Sequence, residues 1–192
     1  IVPEGKVSAE LLASQVRTQP ASTHAVEDLL FKVMRKLERD FHQKLDVDLF
    51  SYDINDIELS QQISRFISTD RASLLRLAKE LVRIFTDRLN VKALRNISNH
   101  KDKEKLGSNK LLQDIVAQET GDDNAYKIFG VIIGVYDMRL GDAHPTSSKI
   151  GDALNLAGID ENKSFLRQGE QLISNFGQAI WHIGQSIYRK SE

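Results

Sequence analysis

Residues 126–145 read YKIFGVIIGVYDMRLGDAHP. Their first half is the most apolar run of the chain, and its β-branched valines and isoleucines would also suit a buried strand. We favour a helix that is buried on most sides, because the apolar run continues to Leu140 and is too long for a typical strand. No second strand-like run is present in the sequence to pair with it. Pro145 is expected to end this helix, because proline lacks the backbone donor that a helix interior needs.

The rest of the chain repeats apolar residues at steps of three and four, which is the spacing of one buried helix face. This pattern predicts about seven further helices, over residues 24–45, 55–68, 71–89, 91–98, 108–118, 146–156 and 163–189. Asp70 is expected to cap the helix that follows it, Asn90 to end that same helix, and Gly158 to end the helix over 146–156. The sequence therefore predicts an all-α, multi-helix bundle of about eight helices.

Two composition changes divide the chain. Residues 1–23 carry two of its three prolines among scattered polar residues, which indicates a linker or docking arm. The polar run ETGDDN at 119–124 separates an N-terminal helical part, 24–118, from a C-terminal helical part, 119–192. We expect these two parts to form one compact domain. Because the sequence begins at Ile1, we also expect an upstream domain.

Composition limits the possible functions. The 192 residues carry a net charge of −1 and no cysteine, so RNA binding would need a local basic patch, and disulfides are excluded. No apolar run approaches the roughly 20 residues that span a bilayer, and no signal peptide is present, so we expect a cytoplasmic protein. The five histidines are widely spaced and no nucleotide-binding motif occurs. We therefore expect neither a metal site nor a cofactor.

The polar end of the 126–145 stretch is the best candidate site. On an ideal helix, residues five apart diverge by about 140°, so Arg139 and His144 would point away from each other. Gly141 loosens the backbone between them, and Pro145 disfavours helical geometry at His144. The spacing therefore predicts a helix-borne Arg139, a turn-borne His144, and an Asp142 that orients either of them.

The next predicted helix adds phosphate-binding groups beside the same turn. It begins with Thr146, Ser147, Ser148 and Lys149. The free amides at a helix N-terminus favour anions, and hydroxyl and ammonium groups donate further hydrogen bonds to phosphate. The cluster is therefore suited to bind an anion such as phosphate.

The run from Arg139 to His144 resembles the R-x4–6-H motif of the HEPN superfamily. Members are helical bundles, and many are metal-independent ribonucleases of toxin–antitoxin, abortive-infection and CRISPR-associated systems. The resemblance implies a HEPN-like C-terminal half, an RNA substrate and a homodimer in which two motifs form one composite site. It also implies that His144 is the acid/base group for attack of the ribose 2′-hydroxyl, and that Arg139 stabilises the charge on the phosphate.

A second match to the motif is Arg95 with His100. A polar residue, Asn96, follows this arginine, as is frequent in the family, whereas Leu140 follows Arg139. His100 opens a loop with Lys101 and Lys103 that could follow an RNA backbone. We favour Arg139 and His144, because a buried helix holds an arginine more rigidly, which catalysis requires.

Two alternatives remain open. The cluster is also interpretable as a surface ion pair between Arg139 and Asp142, with His144 capping the helix end. At the level of function, the alternative is a non-catalytic helical module for dimerisation or for docking a partner protein. Glycines that recur at near two-turn spacing in the last predicted helix would allow the close helix contact that such a module needs; they are Gly169, Gly177 and Gly184.

Overall fold

The computed structural model describes residues 25–51, 63–141 and 149–188. Seven α-helices lie in these ranges: α1 Val26–Leu45, α2 Arg71–Ile84, α3 Val91–Ile97, α4 Ser108–Thr120, α5 Asp122–Gly141, α6 Lys149–Leu156 and α7 Phe165–Tyr188. Three short 3-10 helices accompany them: Arg65–Ile67, Thr86–Arg88 and Lys103–Lys105. The described part contains no strand beyond one isolated antiparallel bridge between Phe50 and Leu89. The all-α prediction is confirmed, with a helix count close to the expected eight.

The predicted break at 119–124 is shorter than expected, because the helices Ser108–Thr120 and Asp122–Gly141 extend into it, and the helix that follows Asp70 is shorter than predicted. The helix that follows Asp70 ends at Ile84, and the 3-10 helix Thr86–Arg88 replaces its predicted last turn. Asn90 was expected to end that helix, which is wrong, because its side chain accepts a hydrogen bond from the backbone amide of Ala93 at 3.1 Å and so begins α3. Asparagine is favoured at both helix ends, so its type alone did not decide between them.

The predicted helix over 55–68 falls only partly in the described residues. Within 63–68 the chain forms the 3-10 helix Arg65–Ile67, and the rest of the predicted helix lies outside the described ranges. Ile63 is nonetheless buried in the core. Arg65 ties this turn to the bundle, since its backbone amide donates to Glu27 at 2.8 Å and its guanidinium to Glu170 at 3.2 Å.

Helix α5 is less enclosed than expected. One face is fully buried and consists of Phe129, Ile132, Val135 and Met138. The opposite face reaches solvent, with Tyr126 62% and Leu140 57% exposed. A single hydrophobic core includes side chains from both sides of residue 119, so the helices before and after that break share one interior.

Helix α6 packs against α5 without a side chain between the two backbones. A Cβ added at Gly134 would lie 2.6 Å from the Ala157 nitrogen and 2.7 Å from the Ala153 oxygen. Gly158 then ends the helical segment with a positive φ of 70°, as predicted, a conformation that glycine adopts at little cost. This contact holds α5 in place one and a half turns before Arg139.

The glycines of α7 are used inside the chain. A Cβ at Gly177 would lie 3.8 Å from the Leu30 Cα, and one at Gly184 would lie 3.4 Å from the Asp40 carboxylate, so both face α1. A Cβ at Gly169 would lie 2.7 Å from the Ser68 Cβ. All three glycines therefore face residues of the same copy, although only at Gly169 is the neighbour too close for a Cβ, and the spacing gives no support to a helix contact between two copies.

Asp70 makes an acid-sensitive cap at the start of α2. Its carboxylate accepts hydrogen bonds from the Ser73 hydroxyl at 2.6 Å and from the Ser73 amide at 2.7 Å, and the same hydroxyl accepts from the Asp70 amide at 2.9 Å. The hydrogen bonds from Ser73, the hydroxyl first, lower the pKa of Asp70 below its ordinary value of 3.8. The ionised carboxylate therefore stabilises the folded state above that value, and this contribution is lost as the pH falls through the lowered pKa.

We expect Asp70→Asn to make the protein less sensitive to acid. Asparagine also caps helices well but does not titrate, so this part of the acid dependence disappears. The measurement is the difference in melting temperature between about pH 5 and about pH 3, for the wild type and the variant. Equal differences for the two proteins would contradict the assigned role of Asp70.

Candidate functional site

Arg139 lies on the last turns of α5 and contacts a residue far away in the sequence. Its Nη1 donates hydrogen bonds to both carboxylate oxygens of Asp87, at 2.9 and 3.1 Å. The guanidinium carbon lies 5.9 Å from the ring centroid of Tyr136, one turn earlier on the same helix. The side chain of Arg139 is 34% exposed and that of Asp87 is 42% exposed. The guanidinium is therefore held from two sides and still reaches solvent.

The turn that carries Asp87 is anchored in the core. It follows directly on Phe85, a fully buried ring that packs edge-on against Phe50 at 5.8 Å and Phe176 at 5.7 Å between centroids. The Thr86 hydroxyl, beside Asp87, donates to the side chain of Asn109 at 3.2 Å. The packing of Phe85 and the hydrogen bond of Thr86 hold the backbone of this turn, and from it the Asp87 carboxylate reaches the guanidinium.

The arginine retains donors for a second anion. Both bonds to Asp87 use Nη1, and Nε and Nη2 of Arg139 have no partner within the ranges that the structure describes. A guanidinium presents five donors in a planar fork that matches phosphate. Partly exposed ion pairs contribute only about 0–1 kcal/mol, so an incoming phosphate can share or displace Asp87. The arrangement is suited to bind one phosphate at the end of α5.

Most of the other predicted residues of this cluster lie outside the described ranges: Asp142, His144, Thr146, Ser147 and Ser148. Their positions relative to Arg139 stay predictions. Lys149 is the exposed first residue of α6. The described partner of Arg139 is Asp87, a residue that sequence reasoning missed. No local pattern could have found it, because the two are 52 residues apart and the 3-10 helix that carries Asp87 was predicted as part of α2.

The second match to the motif, Arg95 with His100, lies in a loop where each side chain contacts the loop itself. Arg95 donates from Nη2 to the backbone oxygen of Glu104 at 3.2 Å, and its Nε lies 3.7 Å from the carboxylate of the same residue. The Nδ1 of His100 accepts a hydrogen bond from the Asp102 amide at 3.1 Å, which places the ring proton of neutral His100 on Nε2. Each side chain thus stabilises its own part of the loop, and the described contacts include no bond between Arg95 and His100.

Two lysines near His100 also form bonds within this loop. Lys103 donates to the backbone oxygen of Ser98 at 3.1 Å, which satisfies the end of α3. Lys105 pairs with Asp102 at 2.8 Å. Lys101 is exposed. Lys103 and Lys105 thus both bond within the loop, as Arg95 and His100 do, and Arg139 stays our preferred phosphate ligand.

In the described residues, no group of three or more histidine, aspartate and glutamate side chains is arranged to hold a metal ion. No helix in those ranges has the length and apolar character needed to cross a membrane. Comparison with protein-family models, with curated proteins and with solved structures found no match.

Proposed function

We propose that this chain is a HEPN-like, metal-independent ribonuclease domain of a cytoplasmic, homodimeric bacterial protein of the defence or toxin–antitoxin type. The observation that supports the proposal is the guanidinium of Arg139 at the end of α5, which pairs with Asp87 through Nη1 while Nε and Nη2 have no partner among the described residues. The arginine of an R-x4–6-H motif needs this combination of fixed position and spare donors to bind a phosphate.

The reaction is cleavage by internal transfer. His144 removes the proton of the ribose 2′-hydroxyl, the 2′-oxygen bonds to phosphorus, and the bond to the 5′-oxygen breaks as that oxygen takes up a proton from water. The products are a 2′,3′-cyclic phosphate and a 5′-hydroxyl. Arg139 donates to the non-bridging oxygens, where negative charge grows in the transition state. Five residues span at most about 18 Å, so His144 is within reach of a phosphate bound to Arg139.

The test is an assay of RNA cleavage in excess EDTA, with analysis of the product ends. We expect fragments that carry cyclic phosphate and 5′-hydroxyl ends. Absence of cleavage for a range of single-stranded and structured RNAs, or products with 3′-hydroxyl ends, would overturn the proposal. A single-site variant of Arg139, assayed in parallel, excludes contaminating ribonuclease as the source of any activity.

Asp87 is expected to position Arg139 rather than to react. In Asp87→Asn the shape of the side chain is kept but its charge is lost, so the guanidinium binds RNA more tightly and is less well oriented. We expect KM to fall and kcat to fall roughly 10-fold. Glu80→Gln is the control, because it removes an equal charge from an exposed pair with Arg83. Unchanged kcat in Asp87→Asn would show that the carboxylate does not orient the arginine.

A further inference from the structure

A concave apolar surface lies between α1 and α7, apart from Arg139. This groove has a volume of about 230 Å³, and its walls are Val26, Leu29 and Val33 from α1 with Ile173, Gly177 and Trp181 from α7. Leu29 is 47% exposed and Trp181 is 41% exposed. Apolar side chains grouped around a concave surface are suited to bind apolar side chains of another segment.

Contacts between the two helices give the groove a fixed shape. The floor lies at Gly177 of α7, where a Cβ would be in ordinary contact with the Cα of Leu30 at 3.8 Å. At the far end, the ammonium of Lys36 lies 5.5 Å from the ring centroid of Trp181. Lys36 also pairs with Asp40 at 2.5 Å, so the cation and the indole limit each other's movement. The groove is thus preformed.

We infer that the N-terminal segment of this same chain, residues 1–24, docks into the groove. The segment joins the described structure at Ala25, next to Val26 at the mouth of the groove. It carries Leu12 and Val16 four residues apart, the spacing at which side chains share one helix face.

The start of this segment also has the sequence signals of a helix. Ser8 is a favourable N-cap residue, and Val7 and Leu12 stand at the two positions of a hydrophobic staple, just before the cap and four residues after it. An amphipathic helix that lays apolar residues into a groove between two helices is a common mode of recognition. The sequence therefore supplies an occupant with the chemistry that the groove requires.

Reach and tethering favour the chain's own segment. Val16 and Ala25 are nine positions apart, which allows about 30 Å of extended chain, whereas Val26 to Val33 covers only about 10 Å of helix. Pro20 lies in this connection and interrupts any helix there, so the segment can turn back along α1. A short tether raises the local concentration of the segment to the millimolar range.

The size of the groove also fits this occupant. Its volume is smaller than the roughly 300–1,000 Å³ of small-molecule sites and suits a few aliphatic side chains.

The fluorescence of Trp181 tests this inference in the full chain, because it is the sole tryptophan. We expect the double variant Leu12→Asp/Val16→Asp to shift the emission to longer wavelength and to increase quenching by acrylamide. Ser14→Asp, on the opposite side of the same predicted helix, should leave both unchanged. Circular dichroism checks that the variants keep the helix content of the wild type. Identical emission and quenching in the double variant and the wild type would overturn the proposal.

The rate of trypsin cleavage after Arg17 is a second measurement, and here a residue of the groove is substituted as well as the segment. Leu29→Asp should speed this cleavage, as should the double variant, whereas Leu166→Asp, at a leucine of similar exposure elsewhere on α7, should not. Both measurements are repeated after a 100-fold dilution. Protection of Trp181 and Arg17 that persists on dilution supports the intrachain contact. Protection that is lost on dilution would assign the groove to a second copy and contradict the proposal.

Discussion

Alanine in place of His144 or of Arg139 is expected to lower the rate of metal-independent RNA cleavage by about 10²–10⁴-fold. The first change removes the group that transfers the proton, and the second removes the donors that stabilise the developing charge on the phosphate; each effect has a magnitude in this range. The measurement is the single-turnover rate constant in EDTA. Arg83→Ala is the matched control, because Arg83 is an exposed helical arginine with one weak pair to Glu80.

The same assay decides between the two matches to the motif. Arg95 and His100 bond within their own loop, so Arg95→Ala and His100→Ala should change the rate constant by less than about 10-fold, mainly through weaker RNA binding. A loss of about 100-fold or more in these variants, together with near wild-type rates for Arg139→Ala and His144→Ala, would move the catalytic site to the 95–100 loop.

The largest change in stability is expected at Gly134. An alanine there would place its Cβ 2.6 Å from the Ala157 nitrogen, and these backbone atoms cannot move aside without separating α5 from α6. Overpacking of this kind costs about 1–3 kcal/mol and opposes the gain of up to about 1 kcal/mol in helix propensity. We expect a net decrease in the free energy of unfolding, measured by urea denaturation.

Gly130 provides the matched control for this substitution. It lies one turn earlier on α5, and a Cβ added there meets nothing within 4 Å. Gly130→Ala should therefore raise the free energy of unfolding by about 0.5–1 kcal/mol through helix propensity alone. A Gly134→Ala variant as stable as Gly130→Ala would show that α5 and α6 are not in backbone contact.

The periodicity of apolar residues was sufficient to predict the seven described α-helices, because each buries one face in a shared core, but it also predicted an α-helix over 55–68 whose described part forms a 3-10 helix. Single residues also predicted helix ends correctly where the effect acts within one turn. Asp70 caps the start of α2, and Gly158 ends the segment after α6 with a positive φ. Asn90 was assigned to the wrong helix, because asparagine is favoured at both helix ends. The 3-10 helix Thr86–Arg88 separates α2 from Asn90, so Asn90 begins α3 instead of ending α2.

The candidate site was less accessible to sequence reasoning. Arg139 stood out because it ends an apolar run, but its partner Asp87 is fixed by tertiary packing around Phe85 rather than by any local spacing. The lysines near His100 had the composition of a nucleic-acid contact, yet Lys103 and Lys105 bond to nearby acceptors. Charge counts along a sequence do not show which charges are already paired in the fold.

The most direct test of a shared site is a double-mutant cycle of cleavage rates for Arg139 and His144. If both groups act on one phosphate in one transition state, the variant with both alanines should be no slower than the worse single variant, within about threefold, because residues that act as a unit lose their effect together. A double variant whose loss equals the product of the two single losses would show independent roles, and would contradict a catalytic pair built from Arg139 and His144.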